Sequence, residues 1–301
     1  MRIAVTGANG QVGRAVQRVA AESGDLEVIA FASAALDVAD AGAVHNTLVP
    51  LAPDCIIHAA AFTDTDACEV QQERAYTVNA LGTGYVASAA AAIGCPLIAI
   101  STNYVFDGRR DEPYDEFDLP NPLSVYARSK WAGEVAAQRT GAHLLIVRTS
   151  MVYAEEGRNF IRTMLALAER GMPLRVVADQ RGQPTYATDL ARGLLALARQ
   201  PLPGVYHLTN TGTASWYEWA CATFQMAGLA PEVSPIPAAE FPRPCTPPTN
   251  GVLINRAAAH LGIALPPWQD ALHRCLASMG RVAQPSHGFE DDSHGENTYL
   301  S

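Results

Sequence analysis

The chain has 301 residues, 49% of them apolar, and a net charge of −9 at neutral pH. That length is enough for one large α/β domain, or one domain with an appended lobe. The acidic balance disfavours a nucleic-acid binder, and no apolar run approaches the roughly 18 residues of a membrane span, so neither nucleic acid nor membrane is expected as a partner.

Met1 to Val5 runs straight into a strand-like pattern, with no signal sequence. Ile3-Ala4-Val5-Thr6 reads as a short buried strand that ends in Gly7-Ala8-Asn9-Gly10-Gln11-Val12-Gly13, and a helix is expected over 14–23. Further strands at 27–31, 55–60, 96–101 and 144–148 alternate with helices at 40–51, 69–93 and 125–139. This alternation predicts an α/β fold, a Rossmann-type doubly wound parallel sheet over residues 1–150. Residues 151–280 are richer in proline, as in Phe241-Pro242-Arg243-Pro244, and read as a smaller C-terminal substrate-binding lobe interleaved with late sheet elements. Residues 281–301 set one arginine against Glu290, Asp291, Asp292 and Glu296 and show no apolar periodicity, so a disordered acidic tail is expected there. The cysteines at 55, 68, 95, 221, 245 and 275 form no CxxC and no zinc spacing. They read as reduced core residues of a cytoplasmic protein, with no metal site.

The chemistry begins at the first turn. Gly7, Gly10 and Gly13 directly follow a strand and open a helix, the context in which glycines let a pyrophosphate approach the backbone and the helix N-terminus. A dinucleotide is therefore expected. The second strand ends in Phe31-Ala32-Ser33-Ala34, without the carboxylate that would hold an adenosine 2′-hydroxyl. This favours NADP (as NADPH) while leaving NAD open, with Ser33, and Arg14 reaching from the first helix, as partners for a 2′-phosphate. Asp37 and Val38 stand near the adenine edge, or else simply precede the cap of the next helix.

Of the 21 basic side chains, one is a lysine. Lys130 follows Tyr126 by four, so on a helix the two share a face. An ammonium there is expected to lower the phenol's pKa from about 10 and make Tyr126 a general acid. Thr102 closes the preceding strand, at the carboxyl edge where ligands bind in such sheets. Asn79 in a helix interior suggests a structural or relay hydrogen bond, and His58 reads as a core or crevice histidine rather than a catalytic one.

These residues together resemble the extended short-chain dehydrogenase/reductases, and within them the dTDP-4-dehydrorhamnose reductase family. The likeness spans about residues 1–280 and includes Asp179-Gln180-Arg181-Gly182-Gln183-Pro184-Thr185 and Ser215-Trp216-Tyr217. It implies that Tyr126 is the proton donor to a C4 carbonyl. It implies that Lys130 binds the nicotinamide ribose and depresses the Tyr pKa, and that Thr102 completes a triad. Gly10, Gln11 and Val12 would hold the pyrophosphate, Asp37 and Val38 the adenine end, and Ala60, Ala61 and Phe62 would line the cofactor. The implied reaction is NADPH-dependent reduction of the 4-keto group of a dTDP-4-keto-6-deoxy sugar. The partner is a nucleotide sugar, and the assembly is left open, a homodimer included. Two positions depart from the family pattern: Asn103 stands for Asp and Met151 for Trp, both expected at the sugar or nicotinamide. Alternatives are a reductase of another nucleotide-activated sugar and a non-catalytic NAD(P)-binding regulatory subunit.

Overall fold

The computed structural model describes residues 1–283. Its centre is a six-stranded sheet in which every neighbouring pair is parallel. The first half supplies β1 (Arg2–Thr6), α1 (Gln11–Ser23), β2 (Glu27–Phe31), α2 (Ala41–Leu51), β3 (Cys55–His58), α3 (Thr65–Val70), α4 (Gln72–Tyr76), α5 (Gly82–Ile93), β4 (Leu97–Thr102), α6 (Val125–Gln138) and β5 (Leu144–Thr149). The second half supplies β6 (Val152–Tyr153), α7 (Phe160–Glu169), β7 (Leu174–Val177), β8 (Arg181–Gly182), β9 (Thr185–Tyr186), α8 (Ala187–Arg199) and β10 (Gly204–His207). β11 (Ala214–Ser215), α9 (Trp216–Ala227), β12 (Val233–Ile236), α10 (Arg256–His260) and α11 (Trp268–Ser278) follow.

The strand order is β10-β5-β4-β3-β1-β2. Parallel strands covered on both faces read as continuous apolar runs, and Cys55–His58 and Leu144–Thr149 are buried throughout. On one face α1 and α8 pack Val16, Val19, Leu190 and Leu194 against Ile3, Val5 and Ile57. On the other, α2, α5 and α6 pack Leu48, Val86, Ala90 and Ala137 against Ala4, Ile56 and Ile146. The direction of strand succession reverses between β1 and β3, and the crevice at such a switch point is where ligands bind in open α/β sheets.

The sixth strand, β10, comes from the second half of the chain and pairs with β5. Apart from α8 and α10, which pack on the sheet, much of that half gathers around a separate aromatic core with Tyr153, Phe160, Trp216, Trp219 and Trp268, and β7 pairs with β12.

The helix expected over 69–93 is broken. It turns at Gln71 (φ −106°, ψ 55°) and then runs through a single π-type turn over Thr77–Leu81. Gly133 of α6 lies against this turn, and a Cβ on it would meet the Asn79 carbonyl oxygen at 2.3 Å. The expected tail also begins too early. Arg281 pairs with Glu169 at 2.5 Å, and the Ala283 N–H donates to Met226 O at 2.9 Å. The remainder of that tail, 284–301, lies outside the described residues. Among the described residues no helix is long and apolar enough to cross a membrane, and no group of His, Cys, Asp and Glu is placed to hold a metal. All six cysteines are free thiols.

Candidate active site

The glycine turn after β1 is shaped by close backbone approach. Gly7 has φ +72°, and a Cβ there would meet Ala60 N at 2.5 Å; one on Gly13 would meet Gly7 O at 2.3 Å. α1 begins at Gly10 with no side-chain cap and no acid in its first turn. Its leading N–H groups and dipole therefore remain available to an anion. The turn lies between two adjoining cavities. The first, about 700 Å³, is lined by Gly7, Ser33, Asp37, Val38, Ala60 and Phe62. The second, about 420 Å³, is lined by Gln11, Val12, Gly13, Thr102, Tyr126, Lys130 and Met151. Gly10, Ala59 and Ala61 line both. Together the two cavities form a trough, and the residues singled out from the sequence for cofactor or substrate contact lie along it, Arg14 excepted.

The acid end of the trough is built by α6 and the end of β4. Ser124 caps α6, accepting from Ala127 N at 3.2 Å. The helix then carries Tyr126 and Lys130 on its buried face, 9% and 6% exposed. Lys130 Nζ donates to Ile100 O at 2.8 Å. The Thr102 hydroxyl accepts from Tyr104 N at 3.2 Å, and the Tyr104 ring packs edge-on to Tyr126 at 5.7 Å.

The expected depression of the phenol by Lys130 is not what the structure has. Burial pushes Tyr126 up to about 12, with the Thr102 hydrogen bond opposing the rise. Desolvation of the phenolate sets the direction, and the ammonium is turned to the Ile100 carbonyl. Tyr126 is therefore fully protonated at neutral pH, the form a proton donor needs. Lys130 is itself lowered, by burial, to about 8. His58 is fully buried between Thr6 (2.7 Å) and Thr83 (3.1 Å), and burial holds it neutral at about 3. It serves the core, not proton transfer.

Four other residues take positions the sequence left open or misassigned. Asn79 forms a two-way clamp on the loop after β3: Phe62 N donates to its Oδ1 at 2.7 Å and its Nδ2 donates to Phe62 O at 3.0 Å. Asn103 lines the second cavity, and one N–H of its amide donates to Gly251 O at 2.9 Å, which fixes it in the wall beside Thr102. Arg14 does not reach toward Ser33; it pairs with Glu156 at 2.6 Å on the outer side of the glycine turn. Asp37 accepts from Ala39 N at 3.0 Å and still lines the first cavity, while Asp40 caps α2.

A family model described as the RmlD substrate binding domain matches residues 1–281. The chain belongs to the RmlD family of NAD(P)-dependent oxidoreductases. It is 38% identical over 291 residues to the dTDP-4-dehydrorhamnose reductase of Sinorhizobium fredii, covering 93% of this chain and 98% of that one. It is 37% identical over 295 residues to the Escherichia coli K12 enzyme of the same name, again covering 93% and 98%. The Bacillus subtilis spore coat polysaccharide biosynthesis protein SpsK is 39% identical, over 91% of this chain and 96% of its own. The crystal structure of the Bacillus anthracis dTDP-4-dehydrorhamnose reductase in complex with NADP superposes with a TM-score of 0.89 at 36% identity, over 92% of this chain and 99% of that one.

Within this RmlD-family site two features went unread in the sequence. Trp216 opens α9 and lines both the second cavity and an apolar groove of about 710 Å³ beside Phe160, Leu174 and Phe241. The only local cue was its place after Ser215, whose capping box with Glu218 fixes the start of α9. The other is the backbone of Met151, which sits at φ +44°. A Cβ on Gly182 would meet its sulfur at 2.8 Å, so β8 carries a glycine where the methionine lies.

Proposed function

We propose that the chain reduces the 4-keto group of dTDP-4-dehydrorhamnose with NADPH, giving dTDP-L-rhamnose. The observation that carries this reading is the continuous trough from the glycine turn to Thr102, Tyr126 and Lys130, in a chain of this family. The glycine turn fits a dinucleotide, since glycine at 7 and 13 lets the backbone fold this tightly and the start of α1 beside it carries no side-chain cap. The cofactor, once bound, supplies the hydride to the ketone carbon.

The chain's own residues do the rest. Gly10, Gln11, Val12 and Gly13 offer the uncapped start of α1 to the pyrophosphate. Ala60, Ala61 and Phe62, held by Asn79, wall the cofactor from β3. Tyr126 gives its proton to the ketone oxygen, and Thr102 hydrogen-bonds the same oxygen. Lys130⁺ binds ribose hydroxyls and stabilises the charge that develops. Residues 151–280 act as the substrate lobe, and the groove beside Trp216 receives the nucleotide end of the sugar nucleotide. The intact Thr/Tyr/Lys set disfavours a non-catalytic regulatory subunit. Met151 in place of Trp keeps reduction of another activated sugar as the second reading. The deciding test is NADPH oxidation across a panel of nucleotide 4-keto sugars. The dTDP-linked 4-keto-6-deoxy sugar is expected to have the highest kcat/KM; a better substrate with another base or sugar would replace the specific reading.

The cofactor preference follows from Ser33. No carboxylate stands at the end of β2 and Arg14 is committed to Glu156, so NADPH is favoured without NADH being excluded. Ser33→Asp is expected to move the kcat/KM ratio toward NADH. A wild type that already prefers NADH tenfold, about 1.4 kcal/mol, contradicts this.

Met151→Trp is expected to lower KM for the dTDP-linked sugar several-fold with little change in kcat. An aromatic face adds about 0.5–1.5 kcal/mol beyond burial, and Gly182 leaves the adjoining wall low. Weaker binding of that sugar by the variant would show a pocket shaped around methionine for a different one.

A further inference from the structure

Tyr126 and Lys130 are followed, four residues on, by Glu134. On a helix all three share one face, and the end of β4 receives all three. Ile100 O takes Lys130 Nζ, the Ser101 hydroxyl donates to Glu134 Oε1, and Thr102 lines the same cavity as Tyr126. Glu134 is 5% exposed. Arg148 of β5, 4% exposed, forks onto it with Nε to Oε1 at 3.1 Å and Nη2 to Oε2 at 2.7 Å. The third nitrogen, Nη1, is buried with no partner among the described residues.

A buried ion pair is a poor way to stabilise a fold. Apolar residues of similar volume often serve as well or better. The reason for this pair lies in its place behind the chain's single lysine. We propose that Glu134 is a positioning residue that keeps Lys130 in its ammonium form, and that Arg148 sets how much of the carboxylate's charge reaches it. This rests on Lys130 acting as the charged group of the proposed reductase.

Among the described residues Glu134 is the charged group that acts on Lys130 near neutral pH. His58 of β3 is neutral, at about 3. Tyr126 and, from the turn after β4, Tyr104 are pushed up and uncharged. Cys68 of α3 is raised to about 11, and Glu69 bonds Val125 N at the start of α6. Arg74 of α4 lies over the Phe62 ring, and neither the π-type turn nor α5 carries a charged side chain. Burial lowers Lys130, and Glu134 is the group that opposes this.

The lone lysine makes the test direct. In full-length protein grown with ¹³Cε-lysine, Lys130 gives one NMR resonance, and its titration needs neither cofactor nor substrate. The wild type is expected to titrate near pH 8. Glu134→Gln removes the attraction and leaves Arg148⁺ unopposed, so the midpoint falls by about one pH unit or more. Arg148→Met frees the carboxylate, so the midpoint rises. Glu134→Gln/Arg148→Met, which removes the pair whole, falls between the wild type and Glu134→Gln. A variant that unfolds declares itself by a midpoint near the free value of about 10.4, and the double variant then carries the test. Opposite movements in the two single variants support the proposal. Movement in the same direction, or a common midpoint in wild type and double variant, overturns it and leaves the pair structural. Failure of the reductase reading would appear separately, as absence of NADPH oxidation with a normal Lys130 titration.

Discussion

Tyr126→Phe is expected to lower kcat by about 10² to 10⁴, the usual cost of losing a general acid, while the Kd for NADPH stays close to that of the wild type. The substitution keeps the ring that packs against Tyr104 and removes only the hydroxyl. Tyr126 is also expected at the cofactor, but its ring and the groups assigned to the pyrophosphate, adenine and ribose stay in place. The pH profile sharpens the test. Burial raises Tyr126 to about 12, so its proton is in place throughout the range in which the enzyme is assayed. Activity lost on the alkaline side of neutrality therefore belongs to Lys130, which is protonated below about 8 and neutral above it. Wild-type kcat is expected to fall as pH rises through that value. Fluorescence titration for Kd and steady-state turnover between about pH 6 and 10 separate the roles. Near-wild-type turnover in the Phe variant would mean that the proton comes from elsewhere.

The parts of this site that could be read in the sequence are those set by local spacing. Gly7, Gly10 and Gly13 are three apart on a strand-to-helix turn, and Tyr126 and Lys130 are four apart on one helix; neither pattern needs a distant partner to be understood. The parts that could not be read depend on chain brought from far away. Nothing in Thr77–Leu81 marks a π-type turn. Its partners are Phe62, which Asn79 clamps, and α6, which approaches at Gly133. Asn103 looked free for substrate because its acceptor, Gly251 O, lies 148 residues on. Arg14 looked available to a phosphate because Glu156 lies 142 residues away. The direction of the Tyr126 shift failed for the same reason. Spacing placed an ammonium nearby, but burial sets the direction, and it comes from distant segments around Phe62, Cys68 and Tyr104.

Lys130→Arg is expected to cost most of the activity although it keeps the charge. The chain uses arginine at every other basic position, so tolerance of arginine in general is not at issue. At 6% exposure the ammonium has one protein acceptor, Ile100 O at 2.8 Å. A guanidinium brings five N–H donors in a planar fork. In this space some of them stay unsatisfied, at about 1–3 kcal/mol for a buried group, and the fork displaces the α6 face that carries Tyr126. A misplacement of about 1 Å can cost 10²-fold in rate, so kcat/KM is expected to fall by about that factor and the melting temperature to drop with it. Two contrasts separate geometry from charge. Because arginine keeps its proton, the residual activity of Lys130→Arg should lose the alkaline fall near 8 that the wild type shows. Lys130→Met should be inactive at every pH but melt higher near neutral pH. Lowering the folded-state value from 10.5 to about 8 means that the buried charge costs stability, of order 3 kcal/mol. That cost is complete below about 8 and is relieved as pH rises toward the unfolded value, so the advantage of methionine should shrink across that window. An arginine variant with most of its activity intact would show that any cation suffices at this position, and the requirement for a single compact ammonium would be abandoned.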